Sequence, residues 1–495
     1  MIKKHIILLS LLLALLVSVL SGCNNQSLKA ETEAGAEAEA ENLQPDSVLS
    51  ECNELSSEAE AENMQKLAMV WGFAKYTHQA FLTGERCWDD ELLGLIPIVR
   101  AAHSEDVNII LYNWFISLGD DGYDNTKPDD VNDTVQRAQA DMGWVNETFL
   151  GRTLYLKLSR FDRINLVDRS GAPVSFSSPH GIPDFSNEKS HTSMAFDSTD
   201  YRLLGLFRMW NAMLYYYPNM DIIDYCWFES LLEYIPLIQE GIDRRSYEST
   251  LLSLARKLDD AHMNIGGRNT HGSDRFDTSG VMSSHVLLDN NIGLINPLLH
   301  VYQRSSIQQI MDDLAETDGL IIDLRQYPCH SMVYDLADYI VEERTRFVLM
   351  THPDKSIPGS FVYVHDPSNT WFYSGGLVNP HAFFYEKPVA ILMSRSTFSA
   401  GEFAVMSLRN GNNVTVMGSN SIGANGNVAV LPLPGNTQLF FTSIGVFTPE
   451  GGQTHRIGLA PDIPVEPTAE GIREGRDELM EAAMMYLLER VTLIA

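Results

Sequence analysis

Basic residues are scarce in this 495-residue chain: 35 Lys and Arg stand against 65 Asp and Glu, for a formal net charge of -30 and a pI near 4.7. A surface so acidic repels phosphate backbones, which excludes nucleic acid as a partner. Cysteine is scarcer still, five in all. No Cys-x-x-Cys and no Cys/His cluster occurs, so the sequence implies no metal and no other cofactor. Beyond the first two dozen residues no apolar run approaches the length of a membrane span. Lysine is missing altogether after Lys387.

What is present begins with a targeting segment, 1–23. Lys3 and Lys4 precede an apolar stretch from Ile6 to Leu20, and Leu20-Ser-Gly-Cys23 supplies a small-residue cleavage site. That ending resembles the lipobox of bacterial lipoproteins, which implies lipidation of Cys23 and an exported, membrane-anchored protein at the cell envelope. Residues 24–62 are rich in Ala, Glu, Ser and Asn and poor in large apolar side chains. Such a stretch cannot bury enough surface to offset its ordering entropy and reads as an acidic tether. The rest is too long for one ordinary domain.

Two stretches then copy each other. Trp71 precedes Trp88 by 17 residues, as Trp210 precedes Trp227, and Leu92-Leu-Gly-Leu-Ile-Pro97 is matched by Leu231-Leu-Glu-Tyr-Ile-Pro236. Apolar residues at helical spacing, such as Leu203, Leu206, Phe207 and Trp210, predict packed helices whose tryptophans are core. Cys87 and Cys226, each beside a tryptophan, are expected to be buried, with no bridge assigned. The copies are taken as 63–200, with an irregular insertion that holds a strand over Thr153–Lys157, and 201–266. Where the first copy ends Asp121-Gly122, the second ends Ala261-His262, a histidine at a helix-to-strand junction. A linker over 267–290 follows.

From Asn291 strands alternate with helices: Ile292–Ile295, Ser306–Glu316, Gly319–Arg325, Val333–Glu343, Phe361–Val364, Val389–Met393, Ser399–Arg409 and Val414–Met417. Alternation of this kind implies an α/β domain, 291–470, with a mostly parallel sheet and reactive groups at the carboxyl ends of its strands. A C-terminal helix, 471–495, completes it. In the segment Ser394-Arg-Ser-Thr-Phe-Ser-Ala-Gly-Glu402 the serine sits at a strand-turn-helix junction. There its own amide and that of Ala400 lie at a helix N-terminus, suited to an oxyanion. Taken alone, Ser399-x-x-Glu402 is equally a capping box.

In this context the residues resemble the tail-specific, or C-terminal processing, serine peptidases and their relative the tricorn core. The landmarks are Leu258-Asp-Asp-Ala-His262, Gly319-Leu-Ile-Ile-Asp-Leu-Arg-Gln-Tyr-Pro328, Ser396-Thr-Phe-Ser-Ala-Gly-Glu402, Gly423-Ala-Asn-Gly426 and Gly458-Leu-Ala-Pro-Asp-Ile463, in the family's order. The resemblance implies a serine peptidase that cleaves peptide or protein substrates by acyl transfer, with Ser399 as nucleophile and the amides of Ala400 and Cys329 as oxyanion donors. Glu402 is expected to cap its helix or shape the site. Ala424 stands where the processing peptidases carry their lysine, which excludes a Ser-Lys dyad. The tricorn-like branch uses a histidine at the first landmark, which makes His262 the general base, and Glu450 is the candidate for an orienting acid. No PDZ-like insert is evident between Gly266 and Asn291. Tyr327-Pro-Cys-His330 replaces the family's Asn-Pro-Gly-Gly, and with the missing lysine it supports the rival expectation of a catalytically impaired scaffold or binding module.

Overall fold

The structure, a computed structural model, describes residues 56–122, 136–160, 169–177, 181–266, 284–296, 304–328, 331–355, 357–364, 370–376 and 382–494. The leader, Cys23 and nearly all of the tether lie outside the described residues. The helical half contains α1 (Ser57–Thr77), α2 (Trp88–Arg100), α3 (Val107–Ser117), α4 (Glu147–Leu158), α5 (Thr199–Tyr216), α6 (Trp227–Glu240) and α7 (Arg244–Arg256). α1 starts at Ser57, inside the stretch read as tether. Ser56 Oγ accepts the Ala59 amide, and Glu58 and Glu60 in the first turn complement the helix dipole.

The matched sequences take matched positions. Trp71 Nε1 donates to the Trp88 carbonyl at 2.8 Å, and Trp210 Nε1 to the Trp227 carbonyl at 3.0 Å, each pinning a long helix to the one after it. α1 and α5 meet at Gly72 and Asn211, which follow the two tryptophans. A Cβ on Gly72 would lie 1.8 Å from Asn211 Oδ1, so this contact needs glycine. All four tryptophans are buried. Cys87 and Cys226 instead stand at the N-termini of α2 and α6, one half-buried and the other exposed. The residues Thr153–Lys157, expected as a strand, are helical. They lie in the second segment of α4, after Gly151, whose φ of 68° and ψ of 157° interrupt the helix that Asn146 Oδ1 starts by accepting the Phe149 amide.

Between the helices lies a buried charge network. Arg208 pairs with Asp89 at 2.6 Å and with Glu188 at 3.1 Å, Lys75 pairs with Glu188, and all four side chains are fully buried. His191 adds a contact to Asp89 at 2.7 Å, and Arg208 also donates to the Pro432 carbonyl at 2.8 Å. Removing one charge leaves the buried cluster with an uncompensated charge away from water. Asp89→Asn is therefore expected to cost about 3–5 kcal/mol, read as a lowered denaturant midpoint with unchanged slope.

The strands of the three larger sheets are β1 (Gln136–Gln139), β2 (Asn264–Gly266), β3 (His285–Leu287), β4 (Ile292–Ile295), β5 (Gly319–Asp323), β6 (Leu349–Pro353), β7 (Ser360–Tyr363), β8 (Val389–Met393), β9 (Val414–Gly418), β10 (Val428–Leu433), β11 (Thr437–Thr442), β12 (Gly445–Phe447) and β13 (Ile463–Pro464). The central sheet has the order β13-β9-β8-β5-β4-β3. Its pairs are parallel except β4 with β3. Alternate residues serve two cores, as a two-residue period requires. Val389, Ile391 and Met393 face Ala404, Val405 and Leu408 of α8 (Ala400–Leu408). Ala390 and Leu392 face Ala483 and Leu487 of α9 (Glu478–Ile494). The run around Phe361–Val364 is not part of this sheet: β7 belongs to an antiparallel sheet of order β1-β7-β6-β12. The helix expected over Val333–Glu343 is two short turns, Ser331–Tyr334 and Ala337–Ile340.

A third sheet, β10-β11-β2, joins the halves. Leu431, Leu433, Leu439 and Phe441 of the β10–β11 hairpin are buried in the same core as Trp71, Trp210 and Leu258. β2 pairs with β11 through Ile265 and Leu439, and this register carries the end of α7 across to the strand-rich half.

Candidate active site

Ser399 closes the turn between β8 and α8 with φ 53° and ψ -120°, a conformation that a residue with a Cβ adopts only under constraint. The constraint comes from hydrogen bonds on each side. Thr397 Oγ1 accepts the Ser394 amide at 3.0 Å and donates to the Leu324 carbonyl at 2.8 Å, and the Thr397 carbonyl accepts the Ile422 amide at 3.1 Å. The Ser399 amide donates to the Ala424 carbonyl at 2.7 Å. Ser399's amide is therefore spent on the backbone, contrary to the expectation that it faces an oxyanion. Ala400, the first residue of α8, presents one of the first-turn amides that no helical carbonyl reaches. Cys329 and His330 lie outside the described residues.

The capping box does not form. Among the described residues Ser399 makes no side-chain cap to α8. Its Oγ lies 3.4 Å from the Tyr327 hydroxyl, which donates to it. Glu402 turns inward instead, accepting the Ser421 hydroxyl and, at 2.7 Å, the Gly423 amide. It thereby anchors the loop whose Ala424 carbonyl holds Ser399. Ala424 itself is buried. Burial pushes the Glu402 carboxyl up to about 7, against the lowering pull of its Ser421, Gly423 and Ala424 partners.

A carboxyl raised in the folded state above its ordinary value of 4.5 binds a proton there that the unfolded chain has released. Its contribution to stability is present below about pH 4.5 and is lost as the pH rises through 7. The loss is about 3 kcal/mol. Glu402→Gln should remove that segment of the stability-versus-pH curve, measured by denaturant titration across this range.

His262 follows the last turn after α7. Its Nδ1 lies 2.9 Å from Thr442 Oγ1. Thr442 Oγ1 donates to Asp260 Oδ1 at 2.9 Å, and the Thr442 amide donates to Asp260 Oδ2 at 3.0 Å. The His262 amide closes the turn on Asp260 Oδ1 at 2.9 Å. The Thr442 proton is committed to a carboxylate that can only accept, so Thr442 accepts from Nδ1–H. The neutral ring is thus the Nδ1–H tautomer, with its basic lone pair on Nε2. The imidazole packs on Phe398, the residue before Ser399, at 6.0 Å between ring centroids, and Tyr327 packs on the same ring at 5.2 Å. Glu450 is exposed in the turn that follows Thr448.

A further histidine enters from the segment before Gly458. His455 is buried and its Nε2 lies 2.9 Å from the Tyr217 hydroxyl. Burial holds its imidazole below the ordinary value, opposed by the charge of nearby Asp260. Sequence reasoning passed over Asp260, Thr442 and His455. Only Asp260 carried a local signal, an aspartate two residues before a histidine, as in an Asx turn.

Residues 295–465 match the model of Peptidase family S41. The match contains Ser399, Glu402 and Ala424 and begins after His262. A carboxy-terminal-processing protease of Bartonella bacilliformis is 33% identical over 81 residues, which span 16% of this chain and 19% of that protein. Among solved structures, a candidate peptidase of Parabacteroides merdae is 21% identical, with 58% of this chain and 97% of that chain covered and a TM-score of 0.47. The photosystem II D1 C-terminal processing protease is 15% identical, with 56% and 98% covered and a TM-score of 0.35.

Proposed function

We propose that this chain is an exported, lipid-anchored serine peptidase that cleaves peptide bonds by acyl transfer through Ser399. The observation that carries the reading is the chain Asp260–Thr442–His262, which puts the basic lone pair of His262 on Nε2 in a ring packed against the residue before Ser399. A neutral serine hydroxyl is a poor nucleophile without such a base. Nε2 takes the Ser399 proton as Oγ attacks the scissile carbonyl, and the resulting imidazolium returns it to the leaving amine. Asp260 stabilises the imidazolium through Thr442 and fixes the ring's tautomer, the role assigned from sequence to Glu450. The oxyanion is met by the Ala400 amide at the start of α8, with the Cys329 amide as second donor. Water then repeats the steps on the acyl-enzyme.

The similarity of residues 295–465 to Peptidase family S41 supports a peptide or protein substrate. Matched tryptophan contacts support a helical half built by duplication, next to an α/β domain with a mostly parallel sheet. Export and anchoring through Cys23 rest on the leader sequence, and the acidity of the chain speaks against nucleic acid. The test is to incubate the full-length protein with an unfolded protein and count new N-termini, with and without pretreatment by a small fluorophosphonate. Cleavage that stops when the reagent is found on Ser399 supports the reading. Cleavage that continues with Ser399 modified refutes it.

A further inference from the structure

A cavity of about 310 Å³ opens directly beside Ser399 and Ala400. We infer that it receives the side chain of the residue whose carbonyl is attacked, and that it selects a bulky aromatic or aliphatic group there. This rests on the peptidase reading and adds the substrate class to it.

Three observations carry the inference. The first is position. The leaving amine must face the base that protonates it, so the acyl side of the substrate lies away from His262. Among the described residues that line the cavity, His262 does not occur, whereas Ser399, Ala400 and Tyr327 do. The second is size: a cavity of about 150 Å³ already holds a benzene ring, so this one admits a phenyl or larger group with room to spare.

The third is chemistry. The described lining has no Asp, Glu, Lys or Arg, and His352 and Tyr327 are its ionisable members. Its walls combine Met350, Val364, Phe403, Ile444 and Val446 with the uncharged polar Thr351, Asn425 and Asn427. Phe403 stands one turn after Ser399 and donates its amide to the Ser399 carbonyl. Its ring is braced edge-on by Phe347 at 5.0 Å and by Tyr334 at 6.4 Å. Tyr334 also braces Trp371 at 5.8 Å, and Trp371 lines the cavity while 38% exposed. Aromatic side chains in a water-accessible cavity gain by covering one another. A charged group would be desolvated there without an opposite charge to meet it.

The experiment reacts the full chain with N-acetyl aminoalkyl diphenyl phosphonates bearing benzyl, methyl, carboxyethyl or aminobutyl side chains, following adduct formation by intact mass. The benzyl probe is expected to react about 10–100-fold faster than the methyl probe, and both charged probes more slowly than methyl. A methyl or charged probe that matches or beats benzyl, with the adduct still on Ser399, overturns this inference and leaves the peptidase reading intact. No adduct from any of them or from a small fluorophosphonate overturns both. Val428 at the start of β10 also lines the cavity, so Val428→Phe narrows it and should lower the benzyl-to-methyl ratio at least about tenfold. Val364→Phe, from another wall, should do the same if the first variant does not fold. An unchanged ratio in a variant with native circular dichroism contradicts the assignment.

Discussion

Ser399→Ala should lower kcat for peptide hydrolysis by about 10⁶, and His262→Gln by nearly as much. The two effects should not add. A nucleophile and its base act as a unit, so once either is missing the other has nothing left to do. The double variant is expected to retain the same residual rate as either single one, through the Ala400 amide and substrate binding alone. Single-turnover kinetics on one peptide measures all three. Both side chains lie at a junction rather than inside an element, so the variants should keep the wild-type fold by circular dichroism. A His262→Gln enzyme within about tenfold of wild type would mean that another group takes the Ser399 proton.

Asp260→Asn should lower kcat by about 10²–10³ with little change in KM. The carboxylate accepts three hydrogen bonds, from Thr442 Oγ1, the Thr442 amide and the His262 amide. An amide cannot accept at both of its ends. The Asn oxygen keeps the Thr442 Oγ1 and His262 amide bonds that Oδ1 accepts and its NH₂ meets the Thr442 amide, so what is lost is the negative charge that stabilises the imidazolium through Thr442. Thr442→Val breaks the same relay, whereas Thr442→Ser keeps the hydroxyl and should restore most of the rate. A merely structural role would instead make Asp260→Asn and Thr442→Val lose stability without this split between serine and valine. Activity of Thr442→Ser as low as that of Thr442→Val, with both folded, would contradict the relay.

The strand-turn-helix around Ser399 was legible because its signals are local: an apolar run, small turn residues and a helical pattern. The central strands were legible for the same reason, and their observed ends lie within two residues of the runs read for Ile292–Ile295, Gly319–Arg325, Val389–Met393 and Val414–Met417. Thr442 was not legible, since its contact with His262 joins residues 180 apart and depends on the pairing of β2 with β11. No periodicity in either segment specifies that register. For Glu402 the sequence left two roles open, cap or site-shaping, because Ser-x-x-Glu has two solutions. The positive φ of Ser399 and the buried loop at Ser421 and Gly423 select the one in which the carboxylate turns inward. Adjacency to a buried tryptophan does not bury Cys87 and Cys226, because each is the N-cap of its helix with extended rather than helical backbone.

The rate of covalent labelling by a fluorophosphonate, compared for wild type, His262→Ala and Ser399→Ala, tests most directly whether the imidazole held by Thr442 activates the serine on the turn. Wild type should label on Ser399, His262→Ala at least about 100-fold more slowly, and Ser399→Ala not at all. Equal labelling of all three proteins would contradict it.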